Sequence, residues 1–335
     1  MSPPPTNIEC ELNKPPTHLD TLKNSVVNHV NTNFLTSIDS NKLTFYYTNA
    51  SSLVNKRNIF NALLIHLELP HIVLVTETWY NTNSITTLEN YQCFLKNRTT
   101  SKGGGVAIYI RNDILSHIVT DMIDIDIEHI WCHVKSKHDS ILIGCIYRPP
   151  LCSLDYSDAV NKAINIAKSL CDKKKYSGLI IAGDFNYPHI KWSNDGGYYG
   201  NDCPQVSLCF LDTINANYLS QHVLVSTFGS NILDLLFTDD PSRIYSINVG
   251  PPLGSTDKNN LHSSINGNFY LRSPIINQQD TRPKYDLSKG NYLKFDRLML
   301  EKINSIFTNA DVNHAYESLI NTYDQVLKEC VPLKK

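Results

Sequence analysis

Two periods run along the chain, and the places where one gives way to the other mark out its elements. Short runs rich in β-branched and aromatic residues read as strands at residues 43–48 (L-T-F-Y-Y-T), 71–76 (H-I-V-L-V-T), 117–120, 129–134, 141–147, 179–182, 232–238, 244–249 and 261–269. Residues 102–110 (K-G-G-G-V-A-I-Y-I) read as a tight glycine turn or bulge feeding a further strand, since no G-K-[ST] and no following helix point to a phosphate cradle. Helical spacing appears at 57–67, where Ile59, Phe60, Leu63, Leu64 and Leu67 share a face that Pro70 terminates, and at 155–170, where Tyr156, Ala159, Val160, Ala163, Ile164, Ala167 and Leu170 do the same. A short helix carries Val206, Phe210 and Ile214, an irregular stretch around 196–200 precedes it, and two amphipathic helices are expected at 293–307 and 316–327. Strands interleaved with about four helices, and grouped in pairs, predict an α/β fold of two mixed sheets packed face to face with helices outside.

Several of these apolar runs end on a polar side chain. Residues 179–186, L-I-I-A-G-D-F-N, drive a buried strand straight into Asp184 and Asn186. Asn49, Glu77, Tyr147 and Asp257 stand at or near other strand ends, and Asp234 lies within a strand on the face opposite Leu233 and Leu235. Taken singly, each has a plain structural explanation: Asp with Asn is turn chemistry, Glu77 a capping or surface carboxylate, Tyr147 a strand-end ring on Pro149. Taken together they can converge on one site.

Composition narrows the classes. The chain has 335 residues, 41% hydrophobic and 19% charged, which is enough for one large globular domain with an appendage. No apolar stretch reaches the roughly 20 residues of a membrane span, and M-S-P-P-P-T-N has no basic segment leading into an apolar one. Nine cysteines without a C-x-x-C pair fit reduced thiols in a nuclear or cytoplasmic, not secreted, protein. Two sequons, at Asn49 and Asn97, read as chance matches in that setting. The net charge of −2 counts against a general polyanion binder but leaves room for a local basic groove. No mixed Cys/His spacing suggests zinc. Residues 1–41, rich in Pro, Asn and Thr, read as a poorly ordered leader with one helical turn around 22–30. The main domain is expected at 42–277 and a helical segment at 283–335.

The order of Y-Y-T-N-A-S-S-L (Asn49), V-T-E-T-W (Glu77), G-G-G-V-A-I-Y-I, G-C-I-Y-R-P-P (Tyr147), A-G-D-F-N-Y-P-H-I-K-W (Asp184, Asn186), N-I-L-D-L-L-F (Asp234) and P-P-L-G-S-T-D-K (Asp257) resembles the endonuclease/exonuclease/phosphatase superfamily. Within it, G-D-F-N-x-P-x-I-x-W and P-L-G-S-x-D are similar to the endonucleases of non-LTR retrotransposons of the chicken-repeat-1 type. The resemblance spans about residues 43–269. It implies a four-layer αββα sandwich of two mixed sheets followed by a short helical appendage. It also implies a magnesium-dependent, or manganese-dependent, DNA endonuclease that leaves a 3′ hydroxyl. By the same resemblance Asn49 and Glu77 place the metal, Asp184 orients or deprotonates the attacking water, Asn186 holds it in line, and Tyr147 bonds a phosphate oxygen. The trailing helices resemble the linker before a reverse transcriptase, in a truncated element.

Two departures set up an alternative. The family closes its site with Ser-Asp-His, the His held by an Asp that corresponds to Asp234, and the sequence offers Thr256-Asp257-Lys258 there. Lysine, with an ordinary pKa of about 10.4, is a poor proton donor or acceptor near neutrality. His262 lies four residues on, and a strand or loop would have to be rerouted to bring it in. Lys258 is therefore expected at the His position. Ser51 stands where relatives often carry Arg. Together these raise the alternative of a catalytically lapsed remnant with weak DNA binding. A phosphatase or sphingomyelinase of the same superfamily is a third reading, and the G-D-F-N run and trailing helices count against it. Target sequence and oligomeric state are not legible.

Overall fold

The computed structural model describes residues 41–99, 101–274, 285–306 and 312–333. The strands are β1 (Lys42–Asn49), β2 (Ile72–Thr76), β3 (Tyr91–Lys96), β4 (Val106–Arg111), β5 (Ser116–Ile118), β6 (Glu128–Lys135), β7 (Ser140–Tyr147), β8 (Gly178–Asp184), β9 (Ile190–Ser193), β10 (Gly196–Tyr199), β11 (Ser220–Gln221), β12 (Asp234–Thr238), β13 (Ile244–Pro252) and β14 (Ser263–Tyr270). The helices are α1 (Arg57–His66), α2 (Leu154–Asp172), α3 (Gln205–Ala216), α4 (Tyr292–Ile306) and α5 (Val312–Cys330).

Twelve of these strands build two six-stranded sheets, ordered β13-β14-β1-β2-β4-β3 and β11-β12-β8-β7-β6-β5. The sheets follow one plan. Each has a single parallel pair at its centre, β1 with β2 and β7 with β8, and antiparallel neighbours on both sides. A parallel pair needs a crossover, and α1 and α2 supply it.

Alternation along the strands sorts the core into three apolar layers. Between the sheets lie Phe45, Leu74, Ile108, Cys132, Ile143, Ile180, Leu236 and Phe269. Outside the first sheet, α1 sets Phe60 and Leu64 on Tyr46, Val73, Val75 and Tyr109. Outside the second, α2 and α3 bury Val160, Ala163, Ile164, Phe210 and Ile214 against Leu142, Ile181, Leu235 and Phe237. Each large side chain so buried contributes about 1.5–3 kcal/mol, which makes the face of an element its strongest instruction. The result is the expected αββα order. Two glycines are required by close approach. A Cβ on Gly183 would stand 1.9 Å from the Ile146 carbonyl oxygen on the neighbouring strand, and one on Gly144 would enter the Trp131 ring.

The hydrophobic pattern passed over four strands, β3, β9, β10 and β11. β3 is a sheet edge whose Gln92 and Lys96 interrupt the apolar run. The β9–β10 hairpin, paired from Gly196↔Ser193 to Tyr199↔Ile190, takes in most of the stretch expected to be irregular around 196–200. β11 is two residues long. α4 and α5 form their own small core of Val326, Cys330 and Val331 against Phe295, Leu298 and Met299. The leader with its turn at 22–30, and the boundary expected between residues 277 and 283, lie outside the described residues. Among the described residues no helix is long and apolar enough to cross a membrane.

Candidate active site

The carboxyl ends of the two parallel pairs meet at one edge of the sandwich, the position where an α/β sheet leaves polar groups facing a crevice. In the first sheet Asn49 ends β1 opposite Thr76, with Glu77 next. In the second, Tyr147 pairs with Asp184 and Asp184 with Asp234. Register alone puts Tyr147, Asp184 and Asp234 side by side in one row on the face turned toward the first sheet.

The side chains close across the gap. Asn49 Nδ2 donates to Asp184 Oδ2 at 3.0 Å and points toward Glu77 Oε1 at 3.5 Å. Tyr147 Oη donates to Glu77 Oε1 at 2.8 Å, and Trp79 Nε1 to Glu77 Oε2 at 3.1 Å, so both carboxylate oxygens are oriented. Tyr47, fully buried, donates to Asp234 Oδ1 at 2.7 Å, while the Thr227 hydroxyl accepts the Leu233 and Asp234 amides. Asn186 gives its amide nitrogen to the Arg148 carbonyl at 2.9 Å and its backbone N–H to Asp184 Oδ1 at 3.2 Å. The Ser51 backbone N–H and hydroxyl both donate to Asn49 Oδ1.

One expectation is corrected here. His262, not Lys258, is the basic side chain in the cluster: its Nδ1 lies 2.7 Å from Asp234 Oδ2 and its Nε2 3.7 Å from Asp184 Oδ2. Lys258 is exposed, and its carbonyl accepts from the Gly229 N–H. Asp257 is exposed too, and its carboxylate folds its own turn by accepting from the Asn259 and Asn260 backbones and the Asn260 side chain. The physical reason is where β14 starts. It runs antiparallel to β1 from Ser263, so the residue just before it is delivered to the site end, while 257–260 are used up in an Asx-type turn. Phe228 packs on the His262 ring, centroids 4.7 Å apart.

Strain gathers at the same edge. Ser51, Ser52, Glu77, Trp79 and Asn186 all have positive φ, between 42° and 84°, each costing of order 1–3 kcal/mol and kept where neighbours over-determine it. Glu77 and Trp79 are held by Gly105 and Gly104, whose carbonyls accept from the Thr78 and Trp79 amides. The three glycines before β4 are themselves at φ +97°, +65° and +84°. Their turn serves as a dock for the E-T-W segment, which the sequence had shown only as a turn.

Electrostatics follow from packing Glu77, Asp184 and Asp234 together. Burial raises the Asp184 carboxyl well above the usual range and the Asp234 charge raises it further, with His262 opposing. Burial works against the His262 imidazolium, but Asp234, by charge and hydrogen bond, outweighs it with help from Asp184 and Glu77 and brings the ring to about 9. Burial and Glu77 push the Tyr147 phenol up, so it remains a neutral donor. Glu77, Asp184 and Asp234 thus put several hard oxygen donors together in a buried place, a donor set that suits a divalent cation. Ligand atoms of Asp184, Asp234 and His262 lie within 4.8 Å of one another.

The sequence alone did not single out Tyr47, Trp79, Thr227 or His262 for this cluster. Tyr47 was visible only as an inward position of β1 alternating with Leu43 and Phe45.

Comparison with known proteins agrees with the fold. The AP endonuclease LMAP from Leishmania major is 13% identical with a TM-score of 0.55, over 71% of this chain and 91% of its own. The 3′ phosphatase NExo from Neisseria, bound to a product DNA hairpin, is 12% identical with a TM-score of 0.50, over 68% and 99%. The endonuclease domain of TRAS1, a telomere-specific non-LTR retrotransposon, is 14% identical with a TM-score of 0.49, over 69% and 100%. No curated protein matches the chain. The endonuclease/exonuclease/phosphatase family model matches residues 31–257, some two thirds of the sequence, and the chain belongs to that family.

Proposed function

We propose that this chain is a magnesium-dependent DNA endonuclease of non-LTR retrotransposon type, which hydrolyses a phosphodiester bond to leave a 3′ hydroxyl. The observation that carries this reading is the meeting of the His262–Asp234 pair at 2.7 Å, the Tyr147–Glu77 pair at 2.8 Å and Asp184 at one sheet edge. The retrotransposon assignment leans on the G-D-F-N-Y-P-H-I-K-W and P-L-G-S-T-D runs.

Glu77 would hold Mg²⁺ or Mn²⁺; Asn49, whose carboxamide nitrogen faces Glu77 and whose oxygen accepts from Ser51, would join it by turning that amide over; the ion, when bound, neutralises phosphate charge and stabilises the departing 3′ oxygen. Asp184 takes the proton of the attacking water, and its raised affinity for protons makes it the stronger base once ionised. Asn186, its amide pinned to Arg148, keeps that water in line. His262, held as an imidazolium by Asp234, turns Nε2 toward a non-bridging phosphate oxygen, and Tyr147 offers its phenol to another. Charge stabilisation of this kind is worth about 3–4 kcal/mol for each well-placed donor.

The lapsed-remnant alternative drew on Lys258 and Ser51, and the His262–Asp234 pair counts against the first of these. Two observations still favour it: Ser51 stands where relatives often carry Arg, and the residues ahead of His262 are Asn260 and Leu261, where the family has Ser-Asp. Nicking of supercoiled plasmid in Mg²⁺ separates the two. We expect nicking by the protein as it stands, none after chelation, none from Asp184→Ala, and strongly slowed nicking from His262→Ala. Nicking that survives Asp184→Ala would overturn the proposal.

A further inference from the structure

The polar row across the second sheet has a fourth member. Glu128, first residue of β6, pairs in register with Tyr147, so Glu128, Tyr147, Asp184 and Asp234 follow one another across four adjacent strands at the site end. Glu128 is 8% exposed and its carboxylate is fully engaged. Oε1 accepts from Arg98 Nε at 2.7 Å and Nη2 at 2.5 Å, and Oε2 accepts from the Gly105 backbone N–H. The Arg98 guanidinium lies 5.7 Å from the centroid of the Tyr147 ring. On the other side the Tyr156 hydroxyl accepts from the Glu128 N–H at 2.7 Å and donates to the Tyr147 carbonyl at 3.1 Å. The fit leaves no slack: a Cβ on Gly104 would be 2.2 Å from Glu128 Oε2 and 2.5 Å from Arg98 Cζ.

Both routes from Glu128 end on Glu77. One passes through Arg98 and Tyr147, whose phenol donates to Glu77 Oε1. The other passes through the glycine turn, where Gly105 and Gly104 accept from Thr78 and Trp79 and so fix the strained residues that aim the Glu77 carboxylate. We infer that Glu128 is a positioning residue which, with Arg98, locks Tyr147 and Glu77 in their working geometry from the far end of the row. It touches neither substrate nor metal. A carboxylate is needed because Arg98 and the Gly105 N–H are donors only, and losing its charge leaves a partly buried guanidinium without its counter-charge. Supports of this kind carry about 10–100-fold in activity or metal affinity when removed.

The inference rests on the nuclease reading, and its test has a readout that does not. The test uses Glu128→Gln, isosteric but uncharged, and Arg98→Lys, which keeps the charge, breaks the fork and acts on a more exposed residue should Glu128→Gln fold poorly. Each is combined with Tyr147→Phe in a double-mutant cycle in the full chain, measuring plasmid nicking and, separately, Mn²⁺ affinity by electron paramagnetic resonance. The expected result is a fall in kcat of about 10–100-fold with KM for DNA nearly constant, a weaker Mn²⁺ affinity, and a double variant whose loss is clearly less than the two single losses combined, the remainder travelling through the glycine turn. Unchanged kcat and Mn²⁺ affinity in both variants, or losses that simply add to that of Tyr147→Phe, would overturn it. If the unaltered protein does not nick, the nuclease reading fails, and the Mn²⁺ affinities decide the positioning role: weakened in Glu128→Gln it stands, unchanged it falls.

Discussion

His262 shows how one side chain is made useful by its neighbours. Free imidazole titrates at 6.5, and here the ring is brought to about 9 because Asp234, Asp184 and Glu77 favour the cation more than burial opposes it. The sign of the consequence follows from linkage. A folded value above the unfolded one gives stability that is complete below 6.5 and is lost as pH rises through about 9. We expect the stability difference between the unaltered protein and His262→Gln, from urea midpoints, to be largest on the acid side and to shrink across that window. A difference that grows with pH would contradict the pairing. In cleavage, His262→Ala should lose about 10²–10⁴-fold in kcat. Lys258→Ala should leave kcat unchanged, any effect falling on salt-dependent DNA affinity, because the side chain is exposed outside the cluster. Steady-state nicking at two salt concentrations checks both.

At the scale of the element, the strand that ends in Asp184 depends on Gly183 as much as on its apolar run. Gly183↔Ile146 is a pair within the parallel ladder, and a methyl on Gly183 would meet the Ile146 carbonyl at 1.9 Å. The backbone would have to part there, between Tyr147 and Asp184. Gly183→Ala should therefore cost more than about 4 kcal/mol in urea unfolding, in the range reserved for mutations that break a core contact outright. A cost below about 1 kcal/mol would mean that the β7–β8 ladder yields to the added methyl without breaking. The same reasoning explains why β8 and the glycine turn were legible as elements but not as partners. Periodicity reports which face is apolar, whereas Gly104 and Gly105 are glycines because of Glu128 and Thr78, residues distant in the chain.

Across the whole molecule the two sheets are tied at both ends. At the site end the tie is the set of hydrogen bonds Asn49–Asp184, Tyr147–Glu77 and Tyr47–Asp234. At the opposite end Arg243, before β13, reaches Asp139, before β7, at 2.9 Å, and also donates to the Tyr270 and Ser177 carbonyls, with Phe269 beneath the guanidinium. Both side chains are almost fully buried, at 4% and 0% exposure. Removing one partner strands the other, so Arg243→Ala should lose about 3–5 kcal/mol of stability while the folded fraction cleaves at the original rate; denaturation and single-turnover assays on the same sample check this. The pattern of apolar positions by itself determined the layers, the order of most elements and the polar strand ends Asn49, Glu77, Tyr147, Asp184, Asn186 and Asp234, because which face of an element is buried and where its apolar run stops are local consequences of side-chain period. Only the tertiary structure decided that His262 and not Lys258 meets Asp234, that Asp257 merely folds a turn, and that Glu128 completes the row. Those outcomes depend on where β14 and β6 begin relative to strands far away in sequence, and a distance across two sheets is not written in any one stretch of chain.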